Sequence, residues 1–390
     1  MTTKTKPGIS PGPGTGKTTW VSRNPGKIII LTILLFTLFI DWIAGLIFIP
    51  TDYNSFRCPH PFYHHDLLPN RKAAAKWGKV TYPMYTNSLG FRDGSARTVS
   101  PRASQERIVF IGDSFTEGLG VPYADSFVGI IGEKLQQYRI EVLNAGVVSY
   151  SPKLYYLKIK YLIEERRINF HRLFVFIDNS DIPDEITYET FVPRPFSQVK
   201  EILFLLKKFF KRNSFLYYSL SRLFHPSHEP LPGQSEDDGL FPCLAGLDED
   251  LMNNKNFRRA ASVWTLEPGI LAQFGREGLR LAKKNMQQLV SLCKQKNIDL
   301  TVVVYPWPRQ IRFRDLESLQ VRVWRNFARV NGIKFINLFP YFIDNRKIKI
   351  ILEKYFIPGD VHWNPAGHRL VADKILGYTR PRGDYSQWRK

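Results

Sequence analysis

The sequence predicts an α/β protein: a three-layer sandwich with a mainly parallel sheet, an insertion, and one N-terminal transmembrane helix. Three observations predict it. From Arg107 onward, short apolar runs alternate with helical patterns; three of the runs end in turns rich in Gly, Asn or Asp; and residues 28–49 are almost wholly apolar. Continuous Val, Ile and Phe runs suit strands buried on both faces, as a parallel sheet requires. With 390 residues, 44% of them hydrophobic and 14% aromatic, the chain has room for one large folded domain plus an anchor.

Residues 1–27 carry Lys4, Lys6, Lys17, Arg23 and Lys27, no acid, and many Pro, Gly, Thr and Ser, the composition of a disordered basic tail. Within them Gly12 to Thr19 imitates a phosphate-binding loop, but Pro11 stands where the pattern needs its first glycine and no strand precedes it. Nucleotide binding is therefore not expected there. Residues 28–49 can cross a hydrocarbon core of about 30 Å at about 1.5 Å per residue. Basic residues before the run and none just after it put the amino-terminus in the cytoplasm and the rest outside, in the periplasm if the membrane is a bacterial inner one. A cleaved signal peptide is the competing reading, but no clean Ala-x-Ala site follows. Asp41 interrupts the run at a cost of about 2.5–3.5 kcal/mol, so it is expected to face a partner helix or to sit towards the outer leaflet.

Residues 50–106 read as an irregular lead-in dominated by loops. Its His64-His65-Asp66 run lacks a second ligand pair and reads as a packed surface loop rather than a metal site. A domain over residues 107–378 follows, with strands expected at 108–111, 140–143, 173–177, 299–305 and 334–338. Helices are expected at 126–137, up to about 165, and at 279–296, 316–330 and 369–376. Residues 184–270 break the alternation and read as an insertion. Its stretch Glu201 to Phe224 mixes apolar residues with Lys207, Lys208, Lys211, Arg212 and Arg222, too charged to span. It fits either a membrane-surface element or a helix pair over the core with a solvated basic face. Residues 379–390 form a tail.

The formal charge of +20 calls for an anionic partner, lipid headgroups or an acidic polymer. Nucleic acid is not expected, since zinc-finger spacing, an aromatic RNA-binding signature and a long basic recognition helix are all missing. The three cysteines, Cys58, Cys243 and Cys293, offer no metal spacing. Cys58 and Cys243 are the expected disulfide pair outside the cytoplasm, and Cys293 a buried small hydrophobe.

The chemistry is expected at strand ends. Gly112-Asp113-Ser114 closes the first strand with a helix starting behind it, so backbone N–H groups and a positive helix end lie near the serine oxygen. Asn144-Ala145-Gly146 closes the second strand and Asp178-Asn179-Ser180-Asp181 the third. Far away, Gly359-Asp360-Val361-His362-Trp363 precedes Asn364-Pro365, a helix cap and first position. Two residues apart in extended chain, Asp360 and His362 leave the same side, so Asp360 can orient the imidazole towards Ser114. His368 falls inside the following helix and is expected to be structural.

This combination resembles the GDSL or SGNH hydrolases, serine esterases and acyltransferases on a flavodoxin-like sheet. The resemblance spans about Arg107 to Tyr378 apart from the insertion. It implies Ser114 as nucleophile, His362 as base and Asp360 as its orienting acid. The oxyanion hole it implies comes from the N–H groups of Ser114 and Gly146 with the Asn179-Ser180 region. Aligned on Asp181, Ser180 stands where the family's asparagine belongs, and Asn179 one place early. Asp-x-His replaces the usual Asp-x-x-His, a spacing similar to membrane-associated polysaccharide O-acetyltransferases such as the alginate type. The resemblance implies a serine-dependent ester hydrolase or O-acyltransferase of the bacterial cell envelope. It would act on an acylated polysaccharide or lipid-linked sugar, with a membrane acyl-donor partner and neither metal nor organic cofactor. The alternative is an inactive module of the same type that binds an acidic glycan or assists assembly.

Overall fold

The computed structural model describes residues 23–49, 56–103, 105–194, 198–224 and 254–379. The glycine-rich stretch Gly12 to Thr19, Cys243 and the 379–390 tail beyond Thr379 lie outside them. The chain divides into two compact units, Met1–Thr51 with Ser197–His228, and Asp52–Phe196 with Glu229–Lys390.

Helix α1 (Pro25–Phe48) belongs to the smaller unit. In the larger unit β1 (Arg57–His60) and β2 (His64–Leu67) pair antiparallel. Then β3 (Lys72–Trp77), β4 (Val80–Thr86) and β5 (Arg92–Asp93) run antiparallel into the main sheet. The parallel part comprises β6 (Arg107–Ile111), β7 (Glu141–Asn144), β8 (Arg172–Ile177), β9 (Asp299–Val304) and β10 (Lys334–Asn337). Helices α2 (Ser114–Glu117), α3 (Phe127–Gln136), α4 (Pro152–Glu164) and α5 (Asp181–Thr187) intervene. After α6 (Gln198–Asn213) and α7 (Phe215–Phe224) of the smaller unit come α8 (Lys255–Val263), α9 (Arg276–Gln295), α10 (Pro308–Arg312) and α11 (Leu319–Asn331). The last are α12 (Phe339–Phe342), α13 (Ile348–Tyr355) and α14 (Pro365–Leu376).

The sheet order is β10-β9-β8-β6-β7-β5-β4-β3. Counting only the parallel strands, this is the 2-1-3-4-5 order of a flavodoxin-like sheet, whose order reverses between β6 and β8. The crossovers on either side of that point run in opposite directions, which places α3 and α4 on opposite faces. Accordingly α3 packs with α14, and α4 with α9. Ile108, Val109, Phe110 and Ile111 are fully buried, each side chain contributing about 1.5–3 kcal/mol by leaving water. The expected strand at 108–111 was therefore correct in kind and place, as were those at 140–143, 173–177, 299–305 and 334–338, each within two residues of its observed ends.

The lead-in is a correction. Residues 57–93 hold five strands rather than mostly loops, and three of them extend the main sheet. Ala73, Ala74, Ala75 and Pro83 had hidden the alternation that would mark them. His64, His65 and Asp66 are not on the surface either; they form the buried strand β2. Asp66 pairs with the fully buried Lys158 at 2.8 Å and accepts from Tyr63 Oη at 2.6 Å. His64 and His65 face each other through Nδ1 atoms 2.9 Å apart. These strands also clamp the turn after β6. Arg57 makes a bidentate, buried ion pair with Glu117 at 2.6 and 3.0 Å, and the Arg92 guanidinium donates to the carbonyls of Glu117, Gly118 and Val121. Losing one partner of such a buried pair costs about 3–5 kcal/mol.

Candidate active site

β6 ends at Ile111 and Gly112 makes the exit. A Cβ at Gly112 would meet Thr116 Oγ1 at 2.2 Å and Phe176 at 3.0 Å, so the turn requires glycine. Asp113 caps α2, its Oδ1 accepting from Phe115 N–H at 3.0 Å. Ser114 is thereby the first residue of a helical turn, where its own N–H finds no intrahelical partner.

The loop between α13 and α14 is fixed by Asn364. Its side-chain oxygen accepts from the N–H groups of Ala366 and Gly367, and its amide donates to the carbonyls of Lys354 and Phe356. The loop carries Asp360 and His362. His362 Nδ1 lies 2.7 Å from Asp360 Oδ1, and its Nε2 lies 2.8 Å from Ser114 Oγ. Burial pushes the Asp360 carboxyl up, but hydrogen bonds and charge from His362, with a further hydrogen bond from Trp77, outweigh it and hold it at about 2. An ionised Asp360 keeps the proton on Nδ1, which leaves Nε2 to accept from the serine. Ser114 and His362 are only 7% and 6% exposed, so the pair is largely shielded from water.

Trp77, at the end of β3, is a site residue that the sequence reading missed. Its Nε1 donates to Asp360 Oδ2 at 2.5 Å, and its ring meets the His362 ring edge-on at 4.9 Å. Lys72 to Thr86 did carry a signal: two runs separated by Gly78-Lys79, with β-branched and aromatic residues in the second, read as a hairpin.

The other expected oxyanion donors are engaged elsewhere. The Gly146 N–H donates to Asn144 Oδ1 at 3.0 Å. A Cβ on Gly146 would meet Thr116 at 2.7 Å, so this glycine lets the β7 loop close against α2. Asn179 is fully buried, its amide donating to the Ala261 carbonyl at 2.8 Å. The Ser180 hydroxyl and N–H both donate to Asp178 Oδ1 at 2.7 Å. His368 is buried in α14, where its Nδ1 accepts from Phe127 N–H at 3.3 Å, and burial lowers it to about 3.

Beneath the serine, Asp113, Asp178 and Asp181 bring carboxylate oxygens within 4.8 Å of one another, a spacing that can hold a cation. The donors around them serve a different end. Trp307 Nε1, Tyr305 Oη and Tyr155 Oη donate to Asp178, Asp113 and Asp181 at 2.8, 3.1 and 2.8 Å. Burial, then the Asp178 charge, drives Asp113 and Asp181 well above the usual carboxylate range. That upward shift favours the protonated forms, which lessens the repulsion among the three carboxyls. The Ser114 hydroxyl also lies within reach of this cluster, donating to Asp113 Oδ2 at 3.1 Å.

No protein-family model and no curated protein sequence matches the chain. Among solved structures it is similar to a member of the lipolytic protein G-D-S-L family from Veillonella parvula, at 13% identity and a TM-score of 0.35, covering 70% of this chain and 98% of that one. It is also similar to a GDSL-like lipase from Bacteroides thetaiotaomicron, at 11% identity and 0.35, covering 72% and 93%. A catalytic mutant of Axe2, an acetylxylan esterase from Geobacillus stearothermophilus, matches at 12% and 0.35, covering 71% and 95%.

Proposed function

We propose that the chain is a serine-dependent ester hydrolase or O-acyltransferase working through an acyl-enzyme on Ser114. The observation that carries this reading is the unbroken relay Asp360–His362–Ser114, with links of 2.7 and 2.8 Å, at the point where the strand order reverses. Ser114 Oγ bonds to the acyl carbonyl carbon while its proton passes to His362 Nε2. Collapse of the tetrahedral adduct breaks the ester bond, and the leaving alcohol takes that proton. Water or a sugar hydroxyl then gives its proton to His362 Nε2 and attacks the acyl carbon; collapse of this second adduct breaks the Ser114–acyl bond and Ser114 Oγ takes the proton back, so the choice of acceptor is the whole difference between hydrolase and transferase. The Ser114 N–H is the first oxyanion donor, and the Gly146 N–H joins it on turning away from Asn144. Asn179 and Ser180 contribute only if the acid-lined turn rearranges.

The apolar α1 and the basic charge support an anchored enzyme of a bacterial inner membrane. Its catalytic unit would stand in the periplasm, act on an acylated polysaccharide or lipid-linked sugar, and draw on a membrane acyl-donor partner when it transfers. The engaged state of Gly146, Asn179 and Ser180 favours one rival, an inactive module that binds an acidic glycan. Hydrolysis of p-nitrophenyl acetate separates the two. The active reading predicts that Ser114→Ala and His362→Ala each lower kcat/KM by about 10⁴ or more, with His368→Ala retaining most activity. Equal rates in wild type and Ser114→Ala would leave the binding module.

A further inference from the structure

Within the smaller unit, α6 and α7 form a helical hairpin against the carboxyl-terminal end of α1. Three features join them. A Cβ at Gly45 would lie 2.6 Å from the Asn213 carbonyl, so this glycine lets the turn of the hairpin approach the α1 backbone. The Phe48 and Phe215 rings lie 5.4 Å apart. Asp41 Oδ1 accepts from the Leu216 N–H at 2.7 Å, while Ser214 Oγ accepts from the Tyr217 N–H at 3.0 Å, so two N–H groups in the first turn of α7 are satisfied. The acid that interrupts the apolar run thus sits at the positive end of a helix, which explains its place there.

The hairpin presents an uncovered apolar surface. On α6, Ile202, Leu206, Phe209 and Phe210 recur at helical spacing and are about half exposed or more, as is Leu216 on α7. Lys207, Lys211 and Arg212 are exposed beside them on α6. An apolar stripe flanked by cations, fastened to a helix of membrane-crossing length, matches a lipid leaflet with anionic headgroups in both polarity and charge.

We propose that α6 and α7 are seated in the membrane leaflet at the carboxyl-terminal end of α1. There they bind anionic lipid as an in-plane element that Asp41 clamps to the anchor. The inference rests on the reading of α1 as an anchor. A single crossing helix leaves a domain free to swivel; a clamped in-plane hairpin gives the membrane attachment a second, lipid-sensitive foot.

The test uses the full chain in phosphatidylcholine vesicles with and without phosphatidylglycerol. Benzoylphenylalanine is placed at Leu35, Leu206 or Phe210, and photo-adducts are identified by mass spectrometry. Lipid adducts at all three positions are expected, with phosphatidylglycerol enriched at 206 and 210. The enrichment should fall severalfold in Lys207→Gln/Lys211→Gln. Asp41→Leu should reduce the adducts at 206 and 210 severalfold, and Asp41→Asn, whose amide oxygen still accepts, should retain most of them. Lipid adducts at Leu35 with none at 206 and 210, or with protein adducts there instead, would overturn the proposal while leaving the anchor standing. No lipid adduct at Leu35 would overturn the anchor reading itself. Unchanged adducts in Asp41→Leu would remove the clamp.

Discussion

At the end of β6 the chain leaves Ser114 bound to His362, whereas at the end of β8 it folds Asn179 and Ser180 back into the scaffold. Both ends lie at the same edge of the sheet, one strand apart, and both are polar in sequence. They differ in what satisfies their groups. After β6, Asp113 accepts from the Phe115 N–H, Tyr305 and the Ser114 hydroxyl, and that hydroxyl stays within 2.8 Å of His362 Nε2. After β8, Asp178 gathers four donors, including both groups of Ser180, while the Asn179 amide bonds Ala261 and its carbonyl accepts from Trp264. Polar density at a sheet edge is thus shared between chemistry and structure, and local hydrogen bonding decides which role a residue plays.

Substitutions at the two ends should diverge. The largest effect is expected at the reacting end. Asp360→Asn removes the group that fixes the His362 tautomer and should cut kcat of acetyl ester hydrolysis by about 10⁴ with little change in melting temperature. Next is Trp77→Phe, which keeps a ring beside His362 but deletes the N–H donated to Asp360. A hydrogen bond to a charged group is worth about 1.5–3 kcal/mol, so kcat should fall about tenfold at nearly constant KM. The sign of the accompanying pH effect follows from the same bond. Trp77 donates to the ionised form and helps hold Asp360 at about 2, so the variant should raise the Asp360 pKa and move any acid loss of activity to higher pH. An unchanged profile and rate would make Trp77 a packing residue only.

The smallest effects on rate are expected at the other end. Asn179→Ala strands the Ala261 carbonyl and should lower stability by about 1–3 kcal/mol in chemical denaturation, with kcat within about threefold of wild type. Ser180→Ala should behave alike. A loss of about 10²–10³ in kcat at unchanged stability in either variant would show that this turn opens to supply an oxyanion donor, and would erase the contrast.

Much of this was legible in the sequence. The strand exits at Gly112 and Gly146, the Asn364-Pro365 helix start, and the two-residue spacing of Asp360 and His362 are local signals, and local signals placed the relay. What escaped notice was set by distant partners. Trp77 reaches Asp360 across 283 positions, from a hairpin whose alanines and proline blur its alternation. Asn179 is committed by Ala261 and Trp264, in a stretch that interrupts the strand–helix rhythm. Asp41, an expense in an apolar helix, finds its reason in Leu216, 175 residues on.

The central claim is that His362, held by Asp360, activates Ser114. It is tested most directly by labelling the purified full-length protein with a fluorophosphonate and mapping the adduct by peptide mass spectrometry. The account predicts stoichiometric phosphonylation at Ser114 in wild type, labelling slowed by orders of magnitude in His362→Ala, and none at this position in Ser114→Ala. No adduct in the wild type, or an adduct at another serine that survives Ser114→Ala, would contradict it.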